Sequence, residues 1–170
     1  DAWTLEPDFD RVLVSPEDGK LIMQCGHLQK YTMFEDNALV INFPLSAEGT
    51  DSEKHEIWHQ RHDESDFFLR GEIMIERGRP SIFGHFPPNI AYIPGQASRF
   101  EWILEEFPMM KWVPFEFQMQ DEWAVLRLQD RDFEKRFLMP NHSRFGSVGV
   151  SMTKGVKIRL RRLRLKVLKT

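Results

Sequence analysis

The chain has few of the features that announce a function. Its 170 residues contain one cysteine, Cys25, which excludes an internal disulfide and with it the disulfide-scaffold class. That thiol has His27 nearby, yet no nucleophile-elbow pattern surrounds it and no glycine-rich phosphate loop is present. No apolar run approaches the length of a membrane span, so no membrane partner is expected. Helical periodicity is nearly missing as well, which leaves strands to carry the fold.

What the sequence does have is apolar mass in short parcels. Hydrophobic residues make up 41%, with 14 Phe and 5 Trp, against 29% charged, the composition of a globular protein. The length suits one domain spanning residues 1–170. The start, "DAWTLEPDFD", is polar and has no initiator Met, and reads as the mature end or an excised piece of a longer protein.

Net charge is only −3, but it is unevenly placed. Residues 1–110 carry 9 basic and 20 acidic side chains, a net of −11, whereas residues 111–170 carry 14 and 6, a net of +8. Two such halves attract one another, and strands interleaved from both would cancel the asymmetry in one sheet. Binding to nucleic acid is not the favoured reading of the basic end, because charge runs are most often solvated faces.

Alternating apolar and polar residues mark strands at "ALVINF" (38–43), "DFFLRGEIMIE" (66–76), "SIFGHF" (81–86), "IAYI" (90–93) and "RFEWIL" (99–104). Further runs are "VPFEFQMQ" (113–120), "EWAVLRLQ" (122–129), "RFGSVGVSM" (144–152) and "VKIRLRRLRLKVL" (156–168). Turn signals such as "RGRP", "FPPN", "PGQAS" and "MPNHS" separate them. In the last run, Val156, Ile158 and Leu160 share one parity and Leu163, Leu165 and Val167 the other. A β-bulge at Arg161 and Arg162 would return all six to one face. So many alternating strands imply an all-β, antiparallel two-sheet β-sandwich or jelly roll, with a barrel as second choice.

The segment "HEIWHQRHDESD" spells H-E-x-x-H at His55, Glu56 and His59. A zinc hydrolase needs that spacing on a helix, so that both imidazoles reach one ion. A helix here would hold only Ile57 and Trp58 as large apolar anchors, too few for a core-facing stripe. On an extended chain, His55, Ile57 and His59 point one way and Glu56 and Trp58 the other. A different cluster, from His59, His62, Asp63 and Glu64, has ligand-type residues without a defined geometry. No metal ligand is assigned and no cofactor is implied, Ca²⁺ being the one ion left open.

Taken in order, "IWHQRHDESDFFLRGEI" (57–73), "SIFG" (81–84), "KWVPFEF" (111–117), "FGSVGVSM" (145–152) and "VKIRLRRLRLKVL" (156–168) resemble the 3-keto-disaccharide hydrolase domain. That is a family of concanavalin-like sandwiches related in fold to laminin G modules and bacterial glucanases. The resemblance implies a concanavalin-like jelly roll, a carbohydrate partner, and secretion or a periplasmic location. It also places ligand on the concave sheet, and therefore on the polar face of residues 66–76. Arg70 and Glu72 lie there with Phe68, and a carboxylate beside a guanidinium grips sugar hydroxyls or holds a base ionised.

Retaining glycosidases place two carboxylates about 5 to 5.5 Å apart, and Glu116 is the partner the sequence offers to Glu72. The expected catalytic pair is therefore Glu72 and Glu116, with Arg70, His85, Phe68 and His59 as sugar contacts. Trp58, Tyr92, Trp102, Trp112 and Trp123 are further aromatics able to stack on a ring. A second expectation is a noncatalytic interaction module whose basic closing strand contacts a partner or an acidic polymer.

Overall fold

The computed structural model describes residues 11–15, 20–21, 28–49, 53–61, 66–86, 99–138 and 146–168. The strand expected at 90–93, and with it Tyr92, lies outside them, as do Cys25, His27, His62, Asp63 and Glu64. Among the described residues there are thirteen strands and one short 3₁₀ turn (Gln29–Tyr31). In chain order the strands are β1 (Arg11–Ser15), β2 (Lys20–Leu21), β3 (Thr32–Glu35), β4 (Ala38–Asn42), β5 (Glu53–Arg61), β6 (Asp66–Arg77) and β7 (Ser81–His85). They continue with β8 (Arg99–Ile103), β9 (Val113–Gln120), β10 (Trp123–Leu128), β11 (Glu134–Leu138), β12 (Gly146–Thr153) and β13 (Lys157–Leu168).

Two antiparallel sheets result, as alternation predicts. The larger runs β11-β10-β9-β6-β13-β1-β2, with β4 also pairing β13 and β3 pairing β4; the smaller runs β5-β12-β7-β8. Their inner faces share one core. Phe67, Leu69, Ile73 and Ile75 of β6 and Phe115, Phe117 and Met119 of β9 meet Trp58, Ile82, Phe100, Val148 and Val150 of the smaller sheet. Trp58 stacks on Phe115 with ring centroids 5.6 Å apart. The β-sandwich reading holds, in its jelly-roll form, and among the described residues no helix is long and apolar enough to cross a membrane.

The bulge expected in the last strand is present where parity changes. Arg161 faces Glu72 and Arg164 faces Arg70, so β13 spends three steps where β6 spends two. Arg162 takes the extra position with φ of 53°, in the left-handed region. Ile158, Leu160, Leu163 and Leu165 are consequently all buried in one core. Gly71 sits under the bulge, where a Cβ would come within 2.9 Å of Leu163 Cδ1.

A second bulge, in β5, is not legible in the sequence. Val148 pairs with His59 and Gly149 with Ile57, leaving Trp58 as the additional residue. Gly149 allows the close approach, since a Cβ there would sit 2.0 Å from the carbonyl oxygen of Glu56. The irregularity breaks simple alternation, so Glu56, Trp58 and His59 are all buried while His55 and Ile57 are only half-buried. The expected common face for His55 and His59 is thereby lost.

Candidate functional site

Strand pairing decides which charged residues meet on the outward face of the larger sheet. Arg70 lies opposite Glu116, Glu116 opposite Arg127, Arg127 opposite Glu134, and Arg70 on its other side opposite Arg164. One row across five strands thus reads Glu134, Arg127, Glu116, Arg70, Arg164. Alternation along each strand keeps the row outward, because the neighbours Leu69, Phe115, Phe117, Leu126, Leu163 and Leu165 all belong to the core.

The centre of the row is dry. Arg70 Nε donates to Glu116 Oε2 at 2.7 Å, with the two side chains 4% and 0% exposed. Arg127 Nη1 lies 3.7 Å from Glu116 Oε1 and donates to Gln118 Oε1 at 2.7 Å, while its Nε donates to Glu134 at 2.8 Å. Burial raises the Glu116 carboxyl above its ordinary pKa, against the opposing pull of Arg70 and Arg127.

Glu72 belongs to the next row of the same face. It accepts from Arg161 Nη2 at 2.9 Å and lies 3.6 Å from Arg162 Nη1. Arg161 in turn covers the Trp112 ring at 4.0 Å. Farther along, Arg159 and Lys157 bond Glu76 at 2.6 and 2.9 Å. Burial alone would raise Glu76, but these two cations hold its pKa below the usual value. The acidic first part of the chain and the basic last part are interleaved, and much of the charge asymmetry is cancelled side by side.

On the other side of the central row, Phe68 is half-buried between Gln118 and Lys166. Trp123, 39% exposed, carries the Arg136 guanidinium over its ring at 5.6 Å. Of the residues expected from sequence, Arg70, Glu72, Phe68 and Glu116 come together here. Glu72 and Glu116 are on adjacent strands but not directly opposite, since Glu72 faces Pro114. Each is engaged by guanidinium groups. His85 and His59 are elsewhere: His85 is exposed at the end of β7 in the smaller sheet, and His59 is buried with its ring 4.7 Å from that of Phe67. Trp123 is among the aromatics named from the sequence, whereas Arg127 and Arg164 join the row only once β10 and β13 are placed.

Among the described residues no three His, Cys, Asp or Glu side chains are grouped so as to hold a metal ion. No family model and no curated protein matches the sequence, so its likeness to 3-keto-disaccharide hydrolases has no sequence match behind it. Solved structures do share the fold. A candidate glycosyl hydrolase from Parabacteroides distasonis is similar with a TM-score of 0.53 at 13% identity, over 82% of this chain and 84% of that one. The alginate lyase A1-II', a member of polysaccharide lyase family 7, reaches 0.54 at 9% identity over 94% of each chain. The alginate lyase from Klebsiella pneumoniae gives 0.51 at 9% identity over 81% of this chain and 84% of that one. At these identities the likeness establishes the jelly-roll sandwich.

Proposed function

We propose that the outward face of the larger sheet binds an acidic oligosaccharide. The observation that carries this reading is the gathering of guanidiniums on this face, of which Arg127 in the central row and Arg161 in the next keep surface that an anionic group can reach. Lys166 and Arg136, in the adjoining row, add to the same sign. Guanidinium groups take carboxylates bidentately, and Phe68 and Trp123 offer aromatic surface for the apolar side of a sugar ring.

The two expectations drawn from sequence converge here. The basic closing strand and the Arg70 and Glu72 strand are neighbours, so an acidic polymer on the first also lies on the second. The named activities of proteins of this fold, including action on alginate, agree with a carbohydrate ligand. Glu72, only part-buried, has the access that proton transfer to a substrate requires, whereas Glu116 serves to position Arg70 and Arg127.

Calorimetric titration with alginate oligosaccharides tests the proposal. Arg127→Gln should weaken binding at least tenfold, and rising salt should weaken it in the parent protein. Glu72→Gln should abolish any chain cleavage seen by chromatography of the products, with stability little changed. Binding that is indifferent to salt and to Arg127→Gln would remove the ligand from this face.

A further inference from the structure

The outward face of the smaller sheet has a different make-up, and it lies on the opposite side of the sandwich. One row across β5, β12, β7 and β8 reads His55, Ser151, Ser81, Ile103. Beside it is a pocket of about 470 Å³ lined by Glu53, Arg79, Ser81, Glu101, Ile103, Ser151 and Thr153. That volume falls within the range of small-molecule sites, roughly 300–1,000 Å³. Its lining combines three hydroxyls, two carboxylates and one guanidinium with Ile103 and the carbon stems of the longer side chains, so polar groups and apolar surface face the same space.

The lining is held in place. Glu53 accepts from the Ser151 hydroxyl, and Arg99 Nη2 stands 3.8 Å from Glu53 and 3.6 Å from Glu101. The carboxylates start from the two edge strands of the sheet and converge through Arg99. Arg79 Nη1 donates to the carbonyls of Leu104 and Phe107, which fixes its guanidinium. His55 lies against Phe83 at 4.7 Å and contacts Arg99 through Nε2 at 3.2 Å. The Ser81 side chain, 7% exposed, lines the pocket. A serine hydroxyl in that position has both donor and acceptor capacity for whatever enters.

We propose that this pocket is a second ligand site, taking a neutral polyhydroxyl such as a hexose unit. Carboxylates accept from vicinal hydroxyls, and Glu53 and Glu101 stand 41% and 35% exposed for that purpose. An anionic sugar would meet both of them. A metal ion would have to compete with Arg99, which already stands between the two. Burial and Arg99 hold the His55 imidazole below its ordinary pKa, so it adds no charge to the rim at neutral pH. The site shares no residue with the larger sheet's face and does not rest on the reading of that face.

Amide chemical-shift mapping with D-glucose, D-galactose, D-mannose and D-glucuronate tests it. At least one neutral hexose should shift the amides of Glu53, Ser81, Glu101, Ser151 and Thr153 in a saturable way, and glucuronate should not. Glu101→Gln and Ser81→Ala, which keep the sheet's shape, should each weaken that binding at least tenfold while the spectrum stays folded. No saturable shift at these amides with any of the three hexoses, or an equal response to glucuronate, would overturn the proposal. Shifts confined to the larger sheet would overturn it too, while leaving the reading of that sheet intact.

Discussion

Each sheet buries one glutamate completely, and the two are treated in opposite ways. Glu116, in the larger sheet, faces outward and has Arg70 at 2.7 Å and Arg127 at 3.7 Å. Glu56, in the smaller sheet, is directed into the sandwich, and neither of its oxygens has a hydrogen-bond partner among the described residues. One carboxylate is buried as part of a charged lattice with Arg70 and Arg127. The other is buried as an uncompensated group, and burial pushes its pKa up to about 7 against a small opposing effect of the Leu28 backbone. Full burial therefore says little about a group's role until its partners are known.

Breaking the paired glutamate should give the largest effect. Removing one member of a buried ion pair strands the other, at a cost of about 3–5 kcal/mol. Arg70→Met should lower stability in urea by that amount, and Arg70→Met combined with Glu116→Leu should recover part of the loss. A single variant that unfolds at the parent's midpoint would show the pair to be solvated and the central row to be an ordinary surface.

Glu56 should come next, and its signature is a pH dependence. Its folded pKa lies above the unfolded value, so the native state holds the proton more tightly and stability falls as pH rises from about 4.5 to about 7. At 1.36 kcal/mol per unit, the loss across that window is about 3 kcal/mol. Glu56→Gln cannot ionise, and should flatten this part of the profile and stabilise the protein at pH above 7. Equal pH profiles for parent and variant would mean that the carboxyl reaches a partner or solvent.

The same contrast explains how much can be read before the fold is known. The positions of β4, β6 to β10, β12 and β13 follow from alternation, whereas the short β1, β2, β3 and β11 are not expected from it. The β13 bulge follows from parity, because a one-residue slip exposes Leu163, Leu165 and Val167 together and no stable sheet tolerates that. The pairing of Arg70 with Glu116 depends on which strand lies beside β6, and alternation within a strand carries no such information. The β5 bulge is hidden for a related reason. "HEIWH" alternates acceptably as a straight strand, and only the close approach of Gly149 on a distant strand shows that Trp58 and His59 are both buried. Glu53, Arg99, Ser81 and Ser151 carry no signal in the sequence because four different strands are needed to assemble them.

Arg99 should give the smallest change in stability and still separate the two sheets. Its contacts to Glu53 and Glu101 are 3.6–3.8 Å long between side chains 35–45% exposed, a class of ion pair that contributes at most about 1 kcal/mol. Arg99→Met should therefore lower stability far less than Arg70→Met does. It should nonetheless move His55, whose pKa is lowered first by burial and next by Arg99, while Glu53 and Glu101 act in the opposite sense. With the guanidinium gone, burial alone opposes the two carboxylates and the imidazole should titrate at higher pH than in the parent, as followed by its ring-proton resonances in NMR. A stability loss matching that of Arg70→Met would mean that the smaller sheet's charges are as dry as those of the larger one, and the distinction between the two faces would fail.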